Sequence, residues 1–269
     1  LEPTNSRGFT LLGGDLVFTD NVVIAGGPSS SHTALSLRGD GTTVVADNLL
    51  MGGSTDGFIT ALQIQDTQSV RVHNNVLIGG LGNGFTTAVS VRGDSTAYVR
   101  NNLLHGGFGN GVPNPVELTG SAVVTIENNI LTSRRSSNSC VERLGPETGG
   151  FLIANNSVFN CGAFFTARDA TTGCEPPGIC AQTLGEFNAV SGVANNVSVP
   201  PVFSSFDPTL FLSIAEYRTM NYRLAPAGNA GLSVGLNGND EADWSFNVDR
   251  DGRLRPASGT PWTLGPYEP

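Results

Sequence analysis

The sequence predicts an all-β fold, a parallel β-helix of stacked 27-residue coils that is closed by a C-terminal capping segment. Three observations carry this prediction: an asparagine returns every 27 residues, apolar and polar residues alternate around it, and the composition disfavours helices. The 269 residues include 35 Gly and 15 Pro, only 14% are charged, and lysine is absent. Long surface helices normally carry Lys and Glu in quantity, so an all-helical bundle is disfavoured.

The recurring asparagine sets the length of the coil. An apolar residue stands three positions before each copy, and an apolar residue directly follows five of the six copies. Because Asn tolerates the left-handed conformation, we expect it in a tight turn, with its amide bonded to the equivalent amide of the next coil. The copies are Asn21, Asn48, Asn75, Asn102, Asn129 and Asn156.

Each 27-residue unit holds about three short strands separated by turns, for example at 88–92, 97–100 and 103–105. One unit cannot bury its apolar face alone, so equivalent strands must pair in parallel about 4.8 Å apart in successive coils. We expect about six complete coils over residues 1–199, followed by a capping segment of the same domain at 200–269.

After Asn156 the asparagine step lengthens to 40 residues, which indicates a 13-residue insertion (40 minus 27) within about 157–194. Cys174 and Cys180 fall in this insertion, where we expect them to close a surface loop. Cys140 and Cys161 fall in a variable turn one coil apart, where they are expected to bridge adjacent loops. The absence of any Cys-x-x-Cys pair disfavours zinc, and disulfides would indicate an oxidising compartment.

The repeat over residues 16 to about 199 resembles the right-handed parallel β-helix superfamily of pectate-lyase-like proteins, whose members carry asparagine ladders. The tail contains the motifs Asn221-Tyr222-Arg223-Leu224, Asp249-Arg250-Asp251-Gly252-Arg253-Leu254-Arg255-Pro256 and Gly265-Pro266-Tyr267-Glu268. In these motifs it is similar to the C-terminal region of bacterial choice-of-anchor Q surface proteins. That resemblance implies a bacterial protein that is secreted or held at the cell surface. A short helix is expected to begin at Asp207 and to cap the open end of the solenoid.

Charge and hydropathy exclude two classes of partner. The chain has 14 arginines against 23 acidic residues and a net charge of −9, without a clustered basic face, so no nucleic acid is expected as a partner. No run of about 18 apolar residues occurs, so no transmembrane segment is expected in this chain.

Outward strand positions 27 residues apart form rows along a parallel β-helix, and two such rows make a polar strip. We expect the strip to bind a polysaccharide or a surface protein, although a solvated strand face is the other interpretation. Aromatic rings in exposed turns at Phe58, Phe85 and Phe108 can stack on sugar rings or pack locally. The two rows are Ser36, Gln63, Ser90 and Glu117, and Arg38, Gln65, Arg92 and Thr119.

Catalytic candidates are sparse, so whether the protein is an enzyme stays open. In the strip they are Arg38, Arg92 and Glu117; a further row on the second sheet holds His73 and Arg100, in line with Glu127. The Asp-Asp and Gly-His-Gly motifs of inverting polygalacturonases of the same fold do not occur.

Calcium is the only cofactor to consider, and the sequence gives it weak support. Asp40, Asp66 and Asp94 occupy equivalent turns of consecutive coils, where their oxygens are candidate ligands. The preference of Asp for turns explains the same positions without a metal.

The expected function is therefore a secreted or cell-surface module that binds glycan or another surface component along its long face, without catalysis. The alternative is a polysaccharide lyase or glycoside hydrolase that acts on an acidic polysaccharide.

Overall fold

Short strands make up most of the computed structural model, which describes residues 5–26, 30–108, 111–134, 139–145, 149–168, 179–210, 213–237, 246–257 and 259–268. Two short helices are described, α1 (Leu184–Ala189) and α2 (Ile214–Thr219), with a 3-10 turn at Ala230–Leu232. The strands in chain order are β1 (Asn5–Leu12), β2 (Leu16–Thr19), β3 (Val22–Ile24), β4 (Ser31–Ala46), β5 (Leu49–Met51), β6 (Phe58–His73), β7 (Val76–Ile78), β8 (Phe85–Arg92), β9 (Thr96–Arg100), β10 (Leu103–His105), β11 (Val112–Thr119), β12 (Val123–Glu127), β13 (Ile130–Thr132), β14 (Ser139–Leu144), β15 (Phe151–Ala154), β16 (Ser157–Phe159), β17 (Ala163–Arg168), β18 (Ile179–Ala181) and β19 (Val193–Ala194).

The strands stack as a parallel β-helix, which confirms the predicted fold class. A narrow sheet runs β16-β13-β10-β7-β5-β3, and a wide sheet contains the remaining strands. Equivalent residues pair one coil apart, as Leu103 does with Val76 and with Ile130. The solenoid has about five turns rather than the predicted six. The last step departs from a regular coil, because it contains α1 and the antiparallel pair of β17 with β18.

The recurring asparagines form the predicted ladder, but they are not the left-handed residues of the turn. Nδ2 of Asn75 donates to Oδ1 of Asn102 at 3.0 Å and to two backbone carbonyl oxygens. The positive φ belongs to the residue before each ladder asparagine, such as Asn74 at 57°. The first residue of each pair thus turns the chain, and the second lies buried with its amide aligned along the stack. The left-handed residues of these turns are Asp20, Asp47, Asn74, Asn101, Asn128 and Asn155.

Apolar side chains fill the interior, and α1 closes one end of it. A row of inward residues runs from Leu35 through Val89 to Phe165, all fully buried. Beyond Phe165, the ring of Phe187 on α1 packs 6.4 Å away. The helix begins after Thr183, whose side chain accepts from the backbone N–H of Glu186 in a capping box. At the other end, Phe9 pairs in register with Leu35 and is 51% exposed.

The C-terminal segment lies along the side of the solenoid instead of capping its open end. The helix expected at Asp207 begins at Ile214, because Ser213 and Glu216 form a capping box there. Tyr217 on α2 stacks on Phe108 at 4.4 Å between ring centroids. Phe108, expected in an exposed turn, is therefore fully buried.

Left-handed asparagines on three successive coils bind the C-terminal segment. Their side-chain amides donate to backbone carbonyl oxygens of the segment, and the Asn128 side chain also accepts a backbone N–H from it. The left-handed turn residues of three coils thus bind the tail along the side of the solenoid. The donor and acceptor residues are Asn74 to Val248, Asn101 to Thr263 and Asn128 to Leu236.

A buried arginine fixes the tail to the same row of turn residues. Arg255 is 4% exposed, forms an ion pair with Glu268 at 2.6 Å and donates to Oδ1 of Asn74 at 3.0 Å. The Asp249 carboxylate accepts backbone N–H groups of Arg253 and Glu268. The tail motifs read from the sequence therefore have a structural role: they hold the C-terminal segment against the coils. We call this set of contacts around Arg255, Glu268 and Asp249 the clasp.

The predicted bridge between Cys140 and Cys161 is present, with a Cα–Cα distance of 5.5 Å between adjacent coils. Cys174 lies outside the described residues, so its pairing with Cys180 stays a prediction. The bridge is compatible with a secreted or extracellular protein. None of the helices in the described ranges is long and apolar enough to cross a membrane.

Candidate functional site

A groove of about 370 Å³ opens on the wide sheet where β4, β6 and β8 run side by side. Its lining side chains come from four rows of equivalent positions, so the groove spans neighbouring coils of the solenoid. One side carries an aromatic row, the opposite side an arginine and glutamine row, and threonines and Gln63 lie between them. The lining residues are Ser31, Thr33, Arg38, Phe58, Thr60, Gln63, Gln65 and Arg92.

The strand register confirms that Ser36, Gln63, Ser90 and Glu117 align in one row, as the sequence predicted. Gln63 is the member of this row that lines the groove. Ser36 and Ser90 are fully buried and not part of an exposed strip. They lie beneath longer neighbours: the Ser36 hydroxyl donates to Gln63 at 3.5 Å. The row continues to Glu142, which pairs in register with Glu117. Sequence reasoning missed Glu142 because this coil step is 25 residues (142 minus 117) instead of 27.

The two arginines of the groove have different electrostatic surroundings. Arg92 forms an ion pair with Glu117 at 2.7 Å and donates from Nε to the Ser90 hydroxyl at 2.8 Å. Arg38 donates from Nη2 to Oε1 of Gln65 at 2.7 Å. Among the described residues, Nε of Arg38 has no hydrogen-bond partner and no carboxylate forms an ion pair with this side chain. The charge of Arg92 is thus neutralised within the fold, whereas that of Arg38 is not.

Phe58 and Phe85 form an exposed aromatic wall on the opposite side of the groove. Their rings stack with centroids 5.3 Å apart and planes 8° from parallel, and the residues are 60% and 44% exposed. In the same row, Ser31 precedes Phe58 and Val112 follows Phe85. A flat apolar surface beside polar groups is the arrangement that proteins use to stack against rings with hydroxyl edges.

Two carboxylates lie side by side further along this row, outside the lining of the groove. Glu117 and Glu142 are 8% and 3% exposed, and Nδ2 of Asn114 donates to Glu142. In the part of the chain that the structure describes, Oδ1 of Asn114 is buried without a hydrogen-bond partner. Arg38 thus lines the groove, whereas the two glutamates lie outside its lining and are nearly fully buried.

The second candidate row, His73 with Arg100 and Glu127, aligns in register as predicted, but on the wide sheet. The C-terminal segment covers it: the ring of Phe246 stacks on His73 at 4.3 Å. The pKa of His73 is lowered to about 4, chiefly by burial and further by the charge of Arg255. Arg100 and Glu127 form an ion pair at 2.7 Å with side chains 11% and 5% exposed. The row is thus enclosed by the tail and offers no open surface to a polysaccharide.

The candidate calcium ligands Asp40, Asp66 and Asp94 are exposed. Asp40 lies within β4, Asp66 lies within β6 with a φ of 50°, and Asp94 lies in the turn between β8 and β9. Oδ1 of Asp66 accepts the backbone N–H of Asp94 at 3.4 Å, and Asp94 accepts the Ser121 hydroxyl. Within the described ranges, no three or more His, Cys, Asp and Glu side chains form a group that could hold a metal ion.

No family model, curated protein or solved structure matches the chain. The resemblances to pectate-lyase-like and choice-of-anchor Q proteins consequently stay predictions, and the functional argument depends on the groove itself.

Proposed function

We propose that the protein binds a glycan that lies lengthwise in the groove. The exposed stack of Phe58 and Phe85 beside a polar floor is the observation that carries this proposal. Sugar rings have apolar faces and hydroxyl edges. The aromatic wall would take the faces, while Gln63, Gln65 and Thr60 would bond to the hydroxyl groups.

The repeat favours an extended chain as the ligand over a compact one. Equivalent side chains of neighbouring coils are about 4.8 Å apart, close to the length of one sugar unit in an extended glycan. Successive sugars would thus meet equivalent positions of successive coils, as binding surfaces on other solenoids do with extended ligands. A surface protein with an extended strand is the other partner that such a long face can accept.

Binding without turnover is the function we favour, because the carboxylates that are candidate catalytic groups already have partners within the fold. Arg92 is paired with Glu117, and Asn114 holds Glu142. A lyase or hydrolase acting on an acidic polysaccharide is the alternative. One observation favours the hydrolase, namely that Glu117 and Glu142 are neighbours, since glycosidases use paired carboxylates.

We further propose a secreted or cell-surface location in a bacterium. The Cys140–Cys161 bridge supports this, because disulfides persist in oxidising compartments. Mass spectrometry of protein isolated from its native compartment tests it. Four free thiols would contradict the proposal.

A panel of neutral and acidic polysaccharides, with and without calcium, tests the binding proposal. Phe58→Ala with Phe85→Ala should weaken binding at least tenfold, because both stacking surfaces are lost. Phe9→Ala is the matched control, since Phe9 is 51% exposed but lies at the N-terminal end of the solenoid. Equal losses in both variants would contradict the placement of the ligand.

The same panel discriminates binding from catalysis. New double bonds followed by absorbance would reveal a lyase, and new reducing ends would reveal either enzyme class. Turnover that disappears in Arg92→Ala or Glu117→Gln would replace the binding proposal with the enzymatic one. Binding without either product would support a non-catalytic module.

A further inference from the structure

The two rings of the aromatic wall have different neighbours along their row. Phe85 stacks on Phe58 on one side and pairs in register with Val112 on the other. Phe58 has Phe85 on one side and pairs in register with the much smaller Ser31 on the other. The exposure of the rings follows this difference, since Phe58 is 60% exposed and Phe85 44%. The face of Phe58 towards Ser31 is therefore the open face of the wall.

The groove lies at this open face. Among the described residues, its lining contains Ser31 and Phe58 but neither Phe85 nor Val112. Neighbouring coils are about 4.8 Å apart, and the two Phe rings stack 5.3 Å apart with planes 8° from parallel. A ring placed over Ser31 would thus continue the stack at nearly the same spacing. The row leaves space for one such ring, because Ser31 is small.

We infer that the groove has a subsite for one sugar ring over Ser31, against the open face of Phe58, and that the ligand is a β-1,4-linked glucan or xylan. This inference rests on the proposed glycan binding and names the class of glycan.

The stacked ring determines this class. An aromatic face packs best on a sugar face that carries only C–H groups. In β-1,4-linked glucose and xylose, the hydroxyl groups and both glycosidic oxygens are equatorial, so the faces of the ring are bare. An α-1,4 linkage makes one glycosidic oxygen axial, which would hold the ring away from Phe58. The β-1,4 linkage also gives an extended chain, as the repeat of equivalent positions along the solenoid favours.

Polar side chains lie where the edge of the stacked sugar would be. Thr33 and Thr60 line the groove two residues after Ser31 and Phe58 on the same strands. Equatorial hydroxyl groups point outward from the edge of a sugar ring, so they would meet these threonines instead of the aromatic face. The subsite thus combines one stacking face with hydrogen-bonding groups at the ring edge.

Ser31→Phe tests the subsite, because it fills the space with a third ring. An aromatic wall without a subsite would gain stacking area from this change. We expect the opposite, binding at least tenfold weaker, because the sugar loses its place on Phe58. Ser31→Ala is the matched control: it removes the hydroxyl group but leaves the space, so it should bind at least tenfold more tightly than Ser31→Phe.

Val112→Phe is a second control, since it adds a ring at the other end of the row and should leave binding unchanged. Thermal unfolding of each variant would verify that it is folded.

Calorimetry with matched hexasaccharides tests the class of glycan. The β-1,4-linked and α-1,4-linked hexamers of glucose have the same composition and length and differ only in linkage. A β-1,4-linked hexamer of xylose would be used beside them. At least one β-linked hexamer should bind at least tenfold more tightly than the α-linked one, because its rings can stack on Phe58.

The outcomes separate this inference from the proposal on which it rests. A protein that binds no member of the polysaccharide panel and no hexamer would overturn both. Binding of other glycans only, or equal affinity for α-linked and β-linked hexamers, would overturn the inference and leave glycan binding standing. Equal affinities of Ser31→Phe and Ser31→Ala would do the same. A preference for a β-linked hexamer that Ser31→Phe removes and Ser31→Ala retains would support the inference.

Discussion

Replacing Asn102 with alanine tests how much the asparagine ladder stabilises the solenoid. Nδ2 of Asn102 donates to Oδ1 of Asn129 and to the carbonyl oxygens of Val72 and Arg100, at 2.8 to 3.0 Å. Its Oδ1 accepts the backbone N–H and the Nδ2 of Asn75, at 2.9 and 3.0 Å. The substitution removes five hydrogen bonds from a fully buried site.

A net contribution of about 1 kcal/mol per bond gives about 5 kcal/mol for the five bonds. Some partners keep another bond: Nδ2 of Asn75 still donates to two carbonyl oxygens, and Oδ1 of Asn129 still accepts the backbone N–H of residue 102. The backbone N–H of Asn75 loses its acceptor. We therefore expect Asn102→Ala to lower the free energy of unfolding by about 3–4 kcal/mol.

Asn21→Ala is the matched control at the exposed end of the ladder. Within the described residues, the Asn21 side chain donates to the Thr19 carbonyl oxygen and to Oδ1 of Asn48, so we expect a loss of about 1 kcal/mol. Guanidinium unfolding of the oxidised proteins, followed by Trp fluorescence, would give both values from the shift in midpoint at constant slope. Equal losses at the two positions would refute the estimate from the ladder bonds.

Three further changes test other parts of the structure. Val99→Asp places a charge at a core position that is 1% exposed and should abolish cooperative unfolding, whereas Tyr98→Asp on the outward face should be tolerated; similar circular dichroism melts would contradict the strand phase. Burial lowers the pKa of His105 to about 4, so an unfolded chain with a pKa of about 6.5 binds the proton first, and stability should fall by up to about 3 kcal/mol between pH 6.5 and 4. His105→Gln should remove the part of the loss that is due to His105. In both proteins His73, with a pKa also lowered to about 4, adds a loss of the same sign, and Asp47, whose pKa burial raises to about 6, contributes the opposite slope. An unchanged pH dependence would count against the assignment. Arg255→Met breaks the buried ion pair of the tail and should cost about 3–5 kcal/mol, with faster proteolysis of the C-terminal segment as the readout; unchanged cleavage would argue against a clasp.

The 27-residue periodicity predicted the coil because each coil repeats the same local pattern of apolar, polar and turn residues. The 27-residue step of the asparagines predicted which residues pair, and the pairing of Cys140 with Cys161 followed from the same phase. The turn was assigned to the wrong residue of each pair. Asn74 and Asn75 are both asparagines, and either can adopt the left-handed conformation, so residue type alone does not distinguish them.

The groove was predicted only in part, because its boundaries depend on departures from the repeat and on distant contacts. Glu142 escaped notice since a coil of 25 residues shifts its phase by two. Phe108 was expected to be exposed, yet Tyr217, more than a hundred positions later, covers it. Such a contact between a repeat and a non-repeating tail leaves no periodic signal in the sequence.

The clasp changes how the solenoid should come apart. In an ordinary stack, each coil touches only its neighbours, so unfolding can begin at either end and proceed coil by coil. Here one tail is bonded to Asn74, Asn101 and Asn128 on three successive coils, so opening any of these coils also breaks its bond to the tail. The central coils should therefore behave as one cooperative unit, while the first coil, which lies beyond these three bonds, is free to fray independently.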